Sequence, residues 1–200
     1  MKNKGCLIGG GLLAVIVIIG LWFMSIYNGL VPMQEDVKAQ WSNVESAYQK
    51  RADLVPNLVN TVKGAANFEK ETLTGVIEAR AKATSTQLNL KDASELTPEN
   101  LSKFQAAQDQ LSSALSRLMV SVERYPELTA TKGFQDLQVN LNSIEDEIKF
   151  ERRKYNEAAK GYNSKIKKVP TSIVASIGGF KEKGYFEAAA GSENAPKVEF

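Results

Sequence analysis

Three polar side chains beside a proline and five on a tyrosine-asparagine repeat are the residues of this chain best placed to do chemistry or recognition. The first group is Arg51, Asp53 and Asn57. Asp53 and Asn57 are four apart, hence on one helical face, and Arg51 lies just before them. They can recognise a partner or small ligand beside Pro56. They can equally serve the backbone, Asp53 as a helix cap and Asn57 as a donor to carbonyls freed by the proline, and backbone chemistry alone favours that role. The second group is Arg152, Tyr155, Asn156, Tyr162 and Asn163, where two Tyr-Asn pairs stand seven residues apart. A tyrosine ladder at that spacing is either a binding stripe or a core seam whose hydroxyls reach the surface, and the core is the commoner outcome. Arg152 is placed to stack on Tyr155 or to pair with an acid such as Glu123.

Catalytic chemistry finds few of its usual groups. The sequence has no His, and its one cysteine, Cys6, precedes a long apolar run. That excludes Ser-His and Cys-His nucleophiles and His-based metal sites. Glu145 and Ile148 have the Glu-x-x-His spacing of bundle metal sites, but with Ile in place of His. Glu145 and Asp146 can contribute to an acidic site, although a solvated helix face is the simpler reading. No phosphate-binding glycine loop, dinucleotide fingerprint or paired-cysteine zinc pattern is present. The expectation is no enzyme, no cofactor and no metal.

The elements that must position these residues begin at a membrane. Residues 5–34 carry no charge, and the apolar stretch 7–27 follows Lys2 and Lys4. As a helix of 21 residues it would span roughly 31 Å, the thickness of a hydrocarbon core. A signal peptide has a shorter apolar region of about 7 to 15 residues and a small-x-small cleavage site, which is not evident here. An uncleaved anchor is expected, with Trp22 and Tyr27 toward the far interface. Lysines before the span, and Glu35, Asp36 and Glu45 against one Lys after it, place the short N-terminus inside and the rest outside the cytoplasm. Cys6 is either an inert thiol or a site of acylation.

Beyond the anchor the pattern is helical. Val37, Trp41, Val44 and Tyr48 can continue the anchor helix outward. Pro56 then means either a kink or a new helix. Leu58, Val62, Leu73 and Val76 keep helical spacing, and 84–95 reads as a frayed end and loop. Thr97-Pro98-Glu99 starts a helix whose seam runs Leu101, Phe104, Gln108, Leu111, Leu115, Leu118, Val122 and Tyr125, interrupted at Gln108. Pro126 ends it. A helix from Thr131 to about Val169 has Phe134, Leu141, Ile148, Tyr155, Tyr162 and Val169 every seven residues, and its second half looks thinner or used for contact. Residues 170–186 are too apolar for a free tail; they would fold back as a short helix ended by Gly178-Gly179, or dock on a membrane or partner. A disordered tail is expected over 187–200. The fold class is all-α, an N-terminal transmembrane helix followed by an antiparallel bundle of about four long helices, over 28–186. Leaving out Lys2 and Lys4, 23 basic side chains balance 23 acidic ones, so net charge implies no nucleic-acid partner.

Several stretches resemble the LemA family. They include Arg51-Ala52-Asp53-Leu54-Val55-Pro56-Asn57-Leu58-Val59, Glu78-Ala79-Arg80-Ala81-Lys82-Ala83, Glu123-Arg124-Tyr125-Pro126-Glu127-Leu128, Phe134-Gln135-Asp136-Leu137-Gln138, the pairs Tyr155-Asn156 and Tyr162-Asn163, and Gly179-Phe180 before Tyr185-Phe186. The resemblance covers about 27–186 in order, departing at Val169-Pro170 where the family usually has Phe-Pro. It implies a bacterial single-pass membrane protein with an antiparallel bundle and no established molecular activity. It also implies an N-terminus outside, opposite to the charge pattern. Two function classes follow. One is a scaffold or adaptor that binds membrane or envelope proteins, or itself as a homo-oligomer. The other is an extracytoplasmic ligand-sensing bundle that needs a partner with an output domain, its small-molecule ligand unknown.

Overall fold

The computed structural model describes residues 3–64, 68–87, 90 and 93–187, side chains of 3–8 and 93 excepted, and contains no strand among them. Helix α1 runs unbroken over Asn3–Lys63, so the apolar anchor and the first bundle helix are one rod. Its 61 residues continue past Pro32 and Pro56 without a break in the helix. At Pro56 the missing amide would have bonded the Ala52 carbonyl. That carbonyl instead accepts from Arg80 Nε at 2.6 Å. The helix survives the proline because a neighbouring helix supplies the lost donor.

Helix α2 (Lys70–Gln87) returns toward the membrane end, and α3 (Pro98–Val122) runs outward again. Thr97 caps α3, its hydroxyl accepting from the Asn100 amide at 3.3 Å, with Pro98 at the first helical position. A one-turn helix α4 (Pro126–Thr129) follows the break at Pro126. Helix α5 (Lys132–Lys167), capped by Thr131, descends along α1. Helix α6 (Thr171–Ile177) turns at the base, and residues 178–187 climb back up the bundle as an extended strap. The four long helices are thus up, down, up and down.

Heptad spacing explains the packing. On α1 the inward seam is Leu30, Val37, Val44, Arg51 and Leu58, interleaved with Trp41, Tyr48, Val55 and Val62, all buried. Two apolar clusters result. The distal one joins Val55, Leu58 and Val62 to Leu73, Val76, Leu111, Leu118, Phe134 and Leu141. The membrane-proximal one joins Leu30, Trp41 and Tyr48 to Phe104, Ile148, Tyr155, Tyr162 and Phe186. The second half of α5, which looked thin for a four-helix core, faces α1 and the strap. The strap supplies what a helix supplies farther out.

Candidate functional site

The five residues of the tyrosine-asparagine repeat come together under the strap. Asn163 Nδ2 donates to the Lys183 carbonyl at 2.8 Å and its Oδ1 accepts from the Lys183 amide at 2.9 Å. Asn156 repeats this double bond with Phe186, both at 2.9 Å. Gln105 of α3 does the same for Glu187, both at 3.0 Å. The spacing follows from geometry. Seven helical residues rise about 10.5 Å, and three extended residues cover about 10 Å, so side-chain amides one heptad apart meet backbone positions three apart. These amides read backbone, the way an edge strand reads its neighbour.

The strap fits closely elsewhere too. The Gly184 amide donates to the Leu96 carbonyl at 2.9 Å. A Cβ on Gly184 would stand 2.9 Å from Pro98 Cα and 3.0 Å from the Thr97 carbonyl oxygen, so only glycine passes over the start of α3. Phe186 packs into an aromatic group with Trp41, Phe104 and Tyr155, its ring centroid 5.5 Å from that of Tyr155. Trp41 Nε1 reaches the Leu90 carbonyl at 3.0 Å.

Several expectations need correction. Tyr155 and Tyr162 are core residues, but their hydroxyls do not reach the surface: both are sealed, with no hydrogen-bond partner among the described residues. Burial pushes the Tyr162 phenol up to about 12 and raises that of Tyr155 as well. Arg152 neither stacks on Tyr155 nor meets Glu123. Its guanidinium lies 4.6 Å from the Phe186 ring centroid and donates to the Glu187 carbonyl at 2.8 Å, whereas Glu123 is exposed. Glu187, first residue of the expected tail, is therefore held; residues 188–200 lie outside the described structure.

The proline group divides. Asp53 and Asn57 face solvent in mid-helix; Asp53 accepts from Gln49 Nε2 at 2.8 Å and caps nothing. Arg80, not Asn57, serves the freed carbonyl. Arg51 points inward and is 1% exposed. Its guanidinium donates to Gln108 Oε1 at 2.6 Å, the Gln108 carbonyl at 3.3 Å, Ser112 Oγ at 2.7 Å and Glu145 Oε1 at 2.8 Å, and lies 5.0 Å from the Tyr48 ring centroid. Arg51 interrupts the α1 seam as Gln108 interrupts the α3 seam, and the two interruptions meet. That pair of polar breaks was the sequence signal for this node. Glu145 is committed to Arg51, and Asp146 accepts from Lys149 at 3.0 Å. Among the described residues no cluster of three Cys, Asp or Glu side chains is placed to hold a metal ion.

One outer surface stands out beside the strap. Phe150 is 50% exposed on α5, with Arg153 and Lys154 5.9 Å and 5.4 Å from its ring centroid. An adjoining shallow cleft is lined by Asp146, Lys149, Arg152, Arg153 and Phe186. Exposed Val139 lies eleven residues earlier, three helical turns along the same face.

Sequence comparisons show which known proteins this chain is similar to. The LemA family profile matches residues 40–200. Magnetosome protein MamQ 1 of Paramagnetospirillum magneticum is 31% identical over 88% of this chain and 69% of its own length. MamQ of Magnetospirillum gryphiswaldense is 30% identical over 80% of this chain and 64% of its own. Protein LemA of Metamycoplasma hominis is 28% identical over 82% of this chain and 71% of its own.

Proposed function

The chain belongs to the LemA family, and on that footing we propose that it is a membrane-anchored scaffold or adaptor that binds other membrane or envelope proteins through the outer face of α5. The observation that carries this reading is the half-exposed Phe150 ringed by Arg153 and Lys154 beside an open cleft. Aromatic and Arg side chains are enriched at protein interfaces and their hot spots, where they bury large areas in well-packed, desolvated contacts. The support behind this face is stiff. Arg152, Asn156 and Asn163 tie α5 to the strap, Gln105 ties the strap to α3, and Lys50 of α1 pairs with Glu147 at 2.6 Å.

Continuity of α1 matters for such a role. One rod joins bilayer and bundle, so the α5 face is presented at a fixed height above the membrane. Charge around the anchor supports a bundle outside the cytoplasm, with Lys2 and Lys4 inside. That several relatives are named for a cellular structure, not for a reaction, agrees with a scaffold. Crosslinking in native membranes tests the proposal. A reproducible partner or homo-oligomer supports it, and neither appearing sinks it.

A further inference from the structure

The base of the bundle carries an apolar face that none of the described residues covers. Val169, Ile173 and Ile177 are 81%, 55% and 70% exposed. Ile173 and Ile177 are one helical turn apart on the outer side of α6, whose inner side buries Thr171, Val174 and Ala175. Isolated exposed apolar residues are ordinary, but three large ones on a nine-residue segment need an occupant.

Position decides which occupant. Just after α6, the Phe180 ring centroid lies 5.2 Å from that of Tyr27, and Gly178 is so close to the same ring that a Cβ there would stand 3.1 Å from it. Tyr27 ends the apolar run, and Ile26, inside that run, already packs against the membrane-proximal core. The segment therefore sits at the level where the anchor leaves hydrocarbon. Its flanks are basic: Lys165, Lys167 and Lys168 precede it and Lys181 follows, all exposed. Within residues 165–184 the one acid is Glu182, which pairs with Lys167.

We infer that residues 169–177 form a second membrane contact, a foot whose Val169, Ile173 and Ile177 enter the boundary between headgroups and acyl chains while the flanking lysines bind anionic headgroups. Apolar area and lysine attraction to anionic lipid act together in such interfacial segments. Two separated contacts would also restrain the tilt and rotation of the rod, which one helix cannot do alone.

The test uses the full chain in nanodiscs of phosphatidylcholine and phosphatidylglycerol, in a Cys6→Ser background. A fluorophore is attached at Ile173→Cys or Ile177→Cys, with Val139→Cys as an equally exposed site far from the base. Lipids carrying a quencher high on the acyl chain should quench positions 173 and 177 several-fold more than 139, and the difference should shrink without phosphatidylglycerol. Equal quenching at 173, 177 and 139 overturns the inference. Quenching that is indifferent to lipid charge overturns the part assigned to the lysines. Shielding of 173 and 177 from water without lipid quenching, accompanied by crosslinks between labelled chains, would mean that a second copy covers the face and would overturn it too.

Discussion

The side-chain amide of Asn163 holds both the amide and the carbonyl of Lys183, at 2.9 Å and 2.8 Å, twenty residues away in sequence. With Asn156 repeating the bond at Phe186, the bundle grips its own C-terminal strap by the backbone.

Breaking one clamp should loosen the strap. Asn163→Leu or Asn156→Leu leaves two backbone groups without partners, at about 1–3 kcal/mol after partial rehydration. The two losses should sum to less than additive, since one strap answers to both. Hydrogen exchange at residues 182–187 checks this, with protection falling in each variant. Gly184→Ala, which forces a Cβ against Pro98, should produce the same loss without deleting any hydrogen-bonding group.

Arg51 should be among the most sensitive positions. Arg51→Ala leaves buried Gln108 and partly exposed Glu145 without their donor and should cost about 3 kcal/mol, the low end for breaking a buried pair because water reaches Glu145, whereas Arg51→Met, which refills the volume, should cost clearly less. Urea titration of the pair of variants separates charge from packing.

Arg80 should matter because of Pro56. Arg80→Met removes the donor to the Ala52 carbonyl and should destabilise by about 1.5–3 kcal/mol, the range for a hydrogen bond from a charged group. In a Pro56→Ala background the helix regains its own amide, so the same Arg80 change should cost less. A double-mutant cycle with no coupling would contradict this pairing.

Alkaline pH should release the base of the bundle. Burial raises Tyr162 from its ordinary 10.0 to about 12, so above pH 10 the unfolded chain binds fewer protons than the folded one. The stabilisation from this group is complete below about pH 10 and is lost as pH rises through 12. Absorbance of tyrosinate should therefore rise in two phases, the late one coinciding with loss of strap protection. Tyr162→Phe should delay that loss to higher pH.

Much of this was legible in residue spacing, and the exceptions have physical causes. The α3 and α5 starts were readable because Thr97 and Thr131 are capping residues before strongly periodic runs. The turn after α6 was readable from Gly178-Gly179, and Gly179 takes the left-handed φ of 75°. The unbroken passage through Pro56 was left open, because its compensation comes from Arg80, distant in sequence. The strap was expected to fold back, but its partners were invisible: an asparagine beside a core tyrosine looks like a solvated flank until a chain lies over it. Arg51 was singled out with Asp53 and Asn57, yet helical periodicity assigns it to the seam and the others to solvent.

Sidedness has a direct check. In intact cells a membrane-impermeant maleimide should leave the thiol of Cys6 unlabelled, and permeabilisation should expose it. Labelling of intact cells would reverse the orientation and move the bundle to the cytoplasmic side.

The most direct test of the scaffold role is a photocrosslinking residue at position 150 in native membranes, with position 53, exposed on α1, as the control. The account predicts a reproducible adduct from 150, to another membrane or envelope protein or to a second copy, that is absent from 53 and weakened by Arg153→Glu. Adducts equally abundant from 150 and 53, or none from either while the chain remains folded and membrane-bound, would contradict it.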